Sequence, residues 1–272
     1  MLAMTPLELL ALLSAAAGAG VMNAMAGGGT ILVFPTLLFL GQPAIEANAT
    51  ATLGLLPGGV ASLFGYREEV RSHRAWLKTL FLPSLLGGAI GSVLLLRTPE
   101  KVFAHLAPLL ILFATLLFLL QGVLARRGEA ADPSPSSAAE PAAAETAALS
   151  WRRWAVASFC QLAISIYGGY FGAAIGILML ALLGFLGLRD IHAMNGLKNF
   201  FNLAINAVAA GYFLYRGVVV WPAALVIFVG ATLGGYGGAR FARRIGRDKA
   251  RAAVVAIGFL VTAILAWQQW RS

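Results

Sequence analysis

The octet Asn23-Ala24-Met25-Ala26-Gly27-Gly28-Gly29-Thr30 interrupts an apolar stretch that covers residues 7–40. A helix crossing the hydrocarbon core of a bilayer needs about 20 largely apolar residues, so this stretch is too long for one crossing. Three successive glycines are poor helix formers, and the pattern predicts two short helices meeting at a glycine break. Residues 154–188 repeat the pattern, interrupted at Tyr167-Gly168-Gly169-Tyr170-Phe171-Gly172. Around these two broken segments lie six uninterrupted runs of membrane-crossing length, at residues 44–65, 76–96, 103–124, 191–215, 218–239 and 250–267.

Composition agrees with a lipid-embedded chain. Hydrophobic residues make up 60% of the 272 and charged ones 11%, with a mean hydropathy of +0.82. Soluble domains are nearer a quarter charged, and so little charge cannot cover a soluble surface. The net charge of +9 invites a nucleic-acid reading. That reading fails because the basic residues sit in short segments between apolar runs rather than on one polar face. A lone cysteine, Cys160, excludes an internal disulfide framework. The start of the chain lacks Lys and Arg and carries Glu8, unlike the basic start of a cleaved leader, so the segment is expected to stay in the mature protein.

Residues 126–150 are rich in Ala, Pro, Ser and Glu and contain no aromatic residue, the composition of a disordered cytoplasmic linker. The linker separates residues 1–125 from 151–272, and each half reads as a broken segment followed by three full helices. Asn48…Tyr66-Arg67 in the first half matches Asn195…Tyr215-Arg216 in the second. If each broken segment enters and leaves on one side, residues 67–78, 126–153, 189 and 240–251 share a face. They hold fifteen of the twenty Lys and Arg residues. The positive-inside rule puts that face in the cytoplasm and both termini outside, which makes the halves an inverted repeat. The expected fold is therefore all-α and polytopic: two inverted repeats, each a broken or re-entrant helical segment plus three transmembrane helices. Secondary transporters recur on this plan, with a site at the bilayer midplane.

Irregular backbone at membrane depth is tolerated only where protein or a watery cavity satisfies it, so the two breaks are the first places to look for a site. Asn23, Gly27, Gly28, Gly29 and Thr30 line the first break, where bare backbone N–H groups and a helix start favour an anion. Tyr167, Gly168 and Gly169 mark the second, although close helix packing by small residues explains glycines at this spacing equally well. On the run 191–215, Asn195, Lys198, Asn199, Asn202 and Asn206 fall within about 100° of arc. Such a stripe must face protein or water. Asparagines alone could serve interhelical hydrogen bonding, but the Lys198 charge calls for an anionic partner or hydration, and Glu46 is the nearest acid from the other half. Asn48, Thr52 and Ser62 share a face of the corresponding first-half helix, while Thr50 points elsewhere and is expected to bond only its own backbone. His73, His105 and His192 have no metal-ligand spacing, and no phosphate-binding glycine loop appears.

The motif at 23–30, Pro35, Asn48-Ala49-Thr50 and Gly65-Tyr66-Arg67, together with Met194-Asn195-Gly196-Leu197-Lys198-Asn199, Asn206-Ala207 and Val220-Trp221-Pro222, resembles the TauE/SafE family of sulfite-exporter-like membrane transporters. The resemblance covers nearly the whole chain except the linker. It implies secondary transport of a small sulfur-containing anion, such as sulfite or sulfoacetate, often as export. The candidate substrate ligands are Asn23, Gly27, Gly28, Gly29, Thr30, Asn48, Thr52, Tyr167, Gly168, Gly169, Asn195, Lys198, Asn199 and Asn202, with Glu46 as a candidate proton-coupling group. No cofactor, metal or nucleic-acid partner is expected. The expected partners are the lipid bilayer and a small anion, and a homo-oligomer is compatible with the sequence. A passive anion channel and, from another class, an intramembrane enzyme or assembly subunit stand as alternatives.

Overall fold

A computed structural model describes residues 4–25, 28–131, 151–188, 190–245 and 247–271. The described residues form helices and no strand. In chain order these are α1 (Pro6–Met25), α2 (Thr30–Phe39), α3 (Ala44–Gly65), α4 (Arg67–Ser72), α5 (Arg74–Arg97), α6 (Glu100–Ala131), α7 (Trp151–Tyr170), α8 (Ile175–Phe185), α9 (Ile191–Tyr215), α10 (Trp221–Ile245) and α11 (Arg247–Arg271). Helix α4 forms in what reads as a loop. Helix α6 continues six residues into the segment expected as linker, and residues 132–150 lie outside the described residues.

Both expected breaks are present, with one correction to both and another to the second. The helices flanking them are unequal: α1 and α7 have 20 residues, whereas α2 has 10 and α8 has 11. Each broken segment is thus a full-length helix followed by a half-length one, not two short helices. The second break also falls later than the sequence suggests. Tyr167, Gly168 and Gly169 are still in α7, and the chain turns at Gly172 (φ 77°) and Ala174 (φ 63°). In a buried helix contact glycine costs little helicity that packing does not return, so two glycines do not by themselves end α7.

α2 folds back along α1: Gly29 lies against Ala19, and Gly18 against Leu32. The returning end of α2 leads into α3, whose first N–H groups at Ala44 and Ile45 donate to the Glu100 carboxylate at the start of α6. That carboxylate from a neighbouring helix caps orphan donors that α3 cannot satisfy itself. α3 and α9 run antiparallel, with Gly59 beside Leu203, and with Gly196 near the α3 end beside Tyr66 and Val70.

Glycines set the closest helix contacts. A Cβ at Gly20 would strike the Ala231 carbonyl of α10, and one at Gly234 would strike the backbone of Ala17 in α1. In the same way Gly87 and Gly91 of α5 bring its backbone against Ser165, Ile166 and Tyr170 of α7. Near-contact of backbones is what small residues permit in a membrane, where dispersion must replace the hydrophobic drive. Phe34 of α2 packs edge-on to Phe171 in the other break, with ring centroids 5.2 Å apart.

Among the described residues three helices are long and apolar enough to cross a bilayer: Pro6–Asn23, Arg74–Arg97 and Glu100–Leu120. Helices α3 and α9 are not among them. Their polar faces turn toward each other and toward protein, while exposed leucines and phenylalanines such as Leu82, Leu86, Leu109, Phe159 and Leu233 face outward.

Candidate functional site

Between α3 and α9, closed at one end by the two breaks, lies a cavity of ≈ 620 Å³ including its open mouth. The first half contributes Asn23, Gly28, Thr30 and Thr52, and also Leu55, Leu56, Gly58 and Gly59. The second contributes Gly172, Asn199, Asn202, Leu203 and Asn206. Gly58 borders open space, since a Cβ there would meet nothing within 4 Å.

The asparagines have divided roles. Asn23 Oδ1 accepts from the backbone N–H of Gly28 at 3.0 Å and of Gly29 at 2.8 Å. This corrects the expectation that those N–H groups are bare: Asn23, itself a residue of the cavity wall, holds them. Gly28 needs its φ of 110°, and a Cβ there would run into the Phe118 ring. Asn206 Nδ2 donates to Asn202 Oδ1 at 2.7 Å and to the Asn202 carbonyl at 2.8 Å. That pairing turns the Asn202 NH₂ outward and leaves it, like Asn199, as a donor on the cavity wall. Thr52 Oγ1 donates to the Asn48 carbonyl at 2.8 Å, the usual back-bond of a helical threonine. α2 begins at Thr30 on the wall and α8 begins at Ile175, just past Gly172. The start of α2, with its partial positive charge, thus opens on the cavity, and the second break reaches it through Gly172.

The structure brings six of the expected ligands together: Asn23, Gly28, Thr30, Thr52, Asn199 and Asn202. Others sit elsewhere. Gly29 is buried against Ala19. Gly168 and Gly169 pack α7 onto Ile175, Ile205 and Gly88. The Tyr167 hydroxyl donates to the Ala173 carbonyl at 2.8 Å, bracing the second break from inside. Asn48 is buried and donates from Nδ2 to the Tyr170 carbonyl at 3.1 Å. Lys198 is also buried, and its Nζ donates to Asn195 Oδ1 at 3.0 Å, one turn from the cavity. Glu46 is in the first turn of α3, off the cavity wall. Gly27 lies outside the described residues. Thr50 does more than bond itself: its Oγ1 accepts from Val220 N–H at 3.0 Å, joining α3 to the start of α10. Asn206 is a wall residue that the candidate set omits although it falls on the same stripe.

Eleven helices among the described residues, outward apolar faces and a polar cavity between two broken segments mark a multi-pass membrane protein. The chain belongs to the sulfite exporter TauE/SafE family, whose sequence pattern it matches over residues 12–265. It is 28% identical over 257 residues to a probable membrane transporter protein of Haemophilus influenzae, covering 92% of this chain and 91% of that one. It is 26% identical to the probable membrane transporter protein YfcA of Escherichia coli K12 (96% and 90% covered) and to the ORF9 probable membrane transporter protein of a Sinorhizobium species (82% and 79% covered). No solved structure matches it. The protein is a membrane transporter of the cell membrane.

Proposed function

We propose that the protein is a secondary carrier that exports a small sulfur oxyanion, sulfite or an organosulfonate such as sulfoacetate, by alternating access around the α3–α9 cavity. The observation that carries this reading is the lining itself. Four asparagines, drawn from both halves, and the N-terminus of α2 meet at one cavity in an otherwise apolar chain. Neutral donors and helix dipoles can replace part of an anion's hydration shell without fixing it as tightly as an ion pair would. Asn23 Nδ2, Thr30 Oγ1, Asn199 and Asn202 are the direct ligands. Lys198 acts from one turn away as a source of positive potential.

The inverted repeat is part of the proposal. Exchange of the halves maps α1 onto α7, α2 onto α8, α3 onto α9, α5 onto α10 and α6 onto α11. Under it, the tight α1–α10 contact becomes α7–α5, and α3–α10 becomes α9–α5; all four contacts are present. Corresponding helices α3 and α9 are antiparallel, as inversion requires. Rocking of one half on the other would then open the cavity to each side in turn.

The test is direct binding to the purified protein. Sulfite and sulfoacetate are expected to bind saturably, with sulfate and lactate weaker. Asn199→Leu and Asn202→Leu should each lower affinity about 10- to 100-fold, the loss of one hydrogen bond to a charge. Unchanged affinity in both correctly folded variants would remove the cavity from the binding event.

A further inference from the structure

We propose that Asn48 and the C-terminal end of α7 form a binding site for a monovalent hard cation of sodium's class, beside the anion cavity and coupled to it; the coupling rests on the carrier reading above.

The site is defined by a buried oxygen with nothing to bond. Asn48 is 1% exposed, and its Oδ1 has no hydrogen-bond partner. Buried polar atoms are nearly always satisfied, and burying an amide oxygen bare is costly. Its Nδ2 faces the carbonyl of Tyr170, the last residue of α7. Half a turn of the amide does not relieve the problem. It would place Oδ1 where Nδ2 lies, 3.1 Å from the Tyr170 carbonyl oxygen, so that two oxygens face each other. The first arrangement leaves Oδ1 bare, and the second leaves both oxygens bare and takes the acceptor from Nδ2. A small cation resolves this: two ligands at about 2.4 Å from a hard cation and about 80° apart are separated by about 3.1 Å.

The surroundings point the same way. The end of a helix carries its partial negative charge and its unpaired carbonyls. The N–H groups of Phe171 and Gly172 both turn back to the Tyr167 carbonyl. Among the described residues no backbone N–H beyond α7 is bonded to the carbonyls of Gly168, Gly169 or Tyr170. Amide and main-chain carbonyl oxygens are neutral ligands, which suit a monovalent ion; calcium and magnesium sites recruit carboxylates. Discontinuous helices place their C-terminal carbonyls on coupling cations in other secondary transporters.

Position supplies the coupling. Thr52, on the anion cavity wall, hydrogen-bonds the Asn48 carbonyl. Gly172, two residues beyond Tyr170, forms part of the opposite wall. Lining residues include no Lys or Arg, so a cation held behind this wall would provide the charge that an incoming anion lacks. Each ion would then raise the affinity for the other by the same factor.

The experiment uses the purified full-length chain in sodium, potassium or choline chloride at equal ionic strength. Thermal unfolding is measured without added anion, followed by sulfite binding in each salt. Sodium is expected to raise the unfolding temperature on its own and to tighten sulfite binding about tenfold, within the usual span of linked sites. Asn48→Leu should abolish both effects, and Asn202→Leu should lose sulfite binding while keeping the sodium shift. Asn48→Asp, which keeps an oxygen and loses the donor, should respond to sodium at least as strongly as the parent. If Asn48 serves only as a donor to Tyr170, that variant will instead unfold early and alike in all three salts. Identical unfolding and identical sulfite affinity of the parent in the three salts would overturn the cation site and leave the carrier reading standing. A sodium shift with no anion bound in any salt would overturn the carrier reading instead.

Discussion

Lys198 is a buried ammonium that, among the described residues, donates to the neutral Asn195 side chain. Such a charge is expensive unless its potential serves something nearby. Lys198 is the sequence neighbour of Asn199 and lies about one helical turn, ~5.4 Å along the axis, from Asn202. Lys198→Met should therefore raise the unfolding temperature, by removing an uncompensated charge, and weaken sulfite binding several-fold. A lysine retained for packing would move stability with affinity unchanged, so thermal unfolding and a binding isotherm on the same preparation separate the two. The polar stripe on α9 was legible because a period of 3.6 places Asn195, Asn199, Asn202 and Asn206 on one face without any tertiary information. Partners of Asn48 and Thr50 were not legible. Tyr170 and Val220 are 122 and 170 positions away, and no local pattern encodes which distant backbone group a buried side chain will meet. Asn23 shows the intermediate case: its place beside the glycines was readable, but its use as a cap for their N–H groups was not.

At the scale of elements, the two breaks bring Asn23, Gly28, Thr30 and Gly172 to the cavity wall. Gly172 takes a φ of 77°, and a Cβ there would press within 3.0 Å of the Gly168 carbonyl and 3.6 Å of Asn206 Oδ1. Gly172→Ala should destabilise the fold by about 1 kcal/mol or more, since an L residue is strained in the left-handed region, and should weaken sulfite binding through Asn206. The tight α1–α10 contact makes a different prediction. Gly234→Leu must push the two helices apart, because even a Cβ meets the Ala17 backbone; thermal unfolding should show a loss of about 1–3 kcal/mol. Six full helices and two interruptions could be read from run length alone. The offset of the second interruption could not, because glycine marks both a break and a close helix contact, and only the neighbour decides between them. Gly168 and Gly169 turned out to face Ile175 and Gly88, which makes them contacts.

For the whole molecule, the inverted arrangement we propose predicts residues 67–78 and 240–251 on the cytoplasmic side and Arg216 outside. In a Cys160→Ser background, a cysteine at Arg71 should be labelled only from the cytoplasm, and one at Arg216 only from outside; both side chains are exposed. Labelling of both from the same side would exclude the inverted arrangement. Fold class, cell-membrane location and transporter family were all carried by apolar run lengths and motif order. Cavity shape depends on how α3 and α9 meet, and that is a property of the assembled halves. The central claim is a carrier cycle around one anion site, and counterflow of labelled sulfite in proteoliposomes tests it most directly. Vesicles preloaded with unlabelled sulfite should accumulate the label transiently above its external concentration, saturably, and Asn202→Leu should abolish the overshoot. Fast, non-saturating entry of label without overshoot would contradict the account, because a passive pore conducts anions but cannot exchange them.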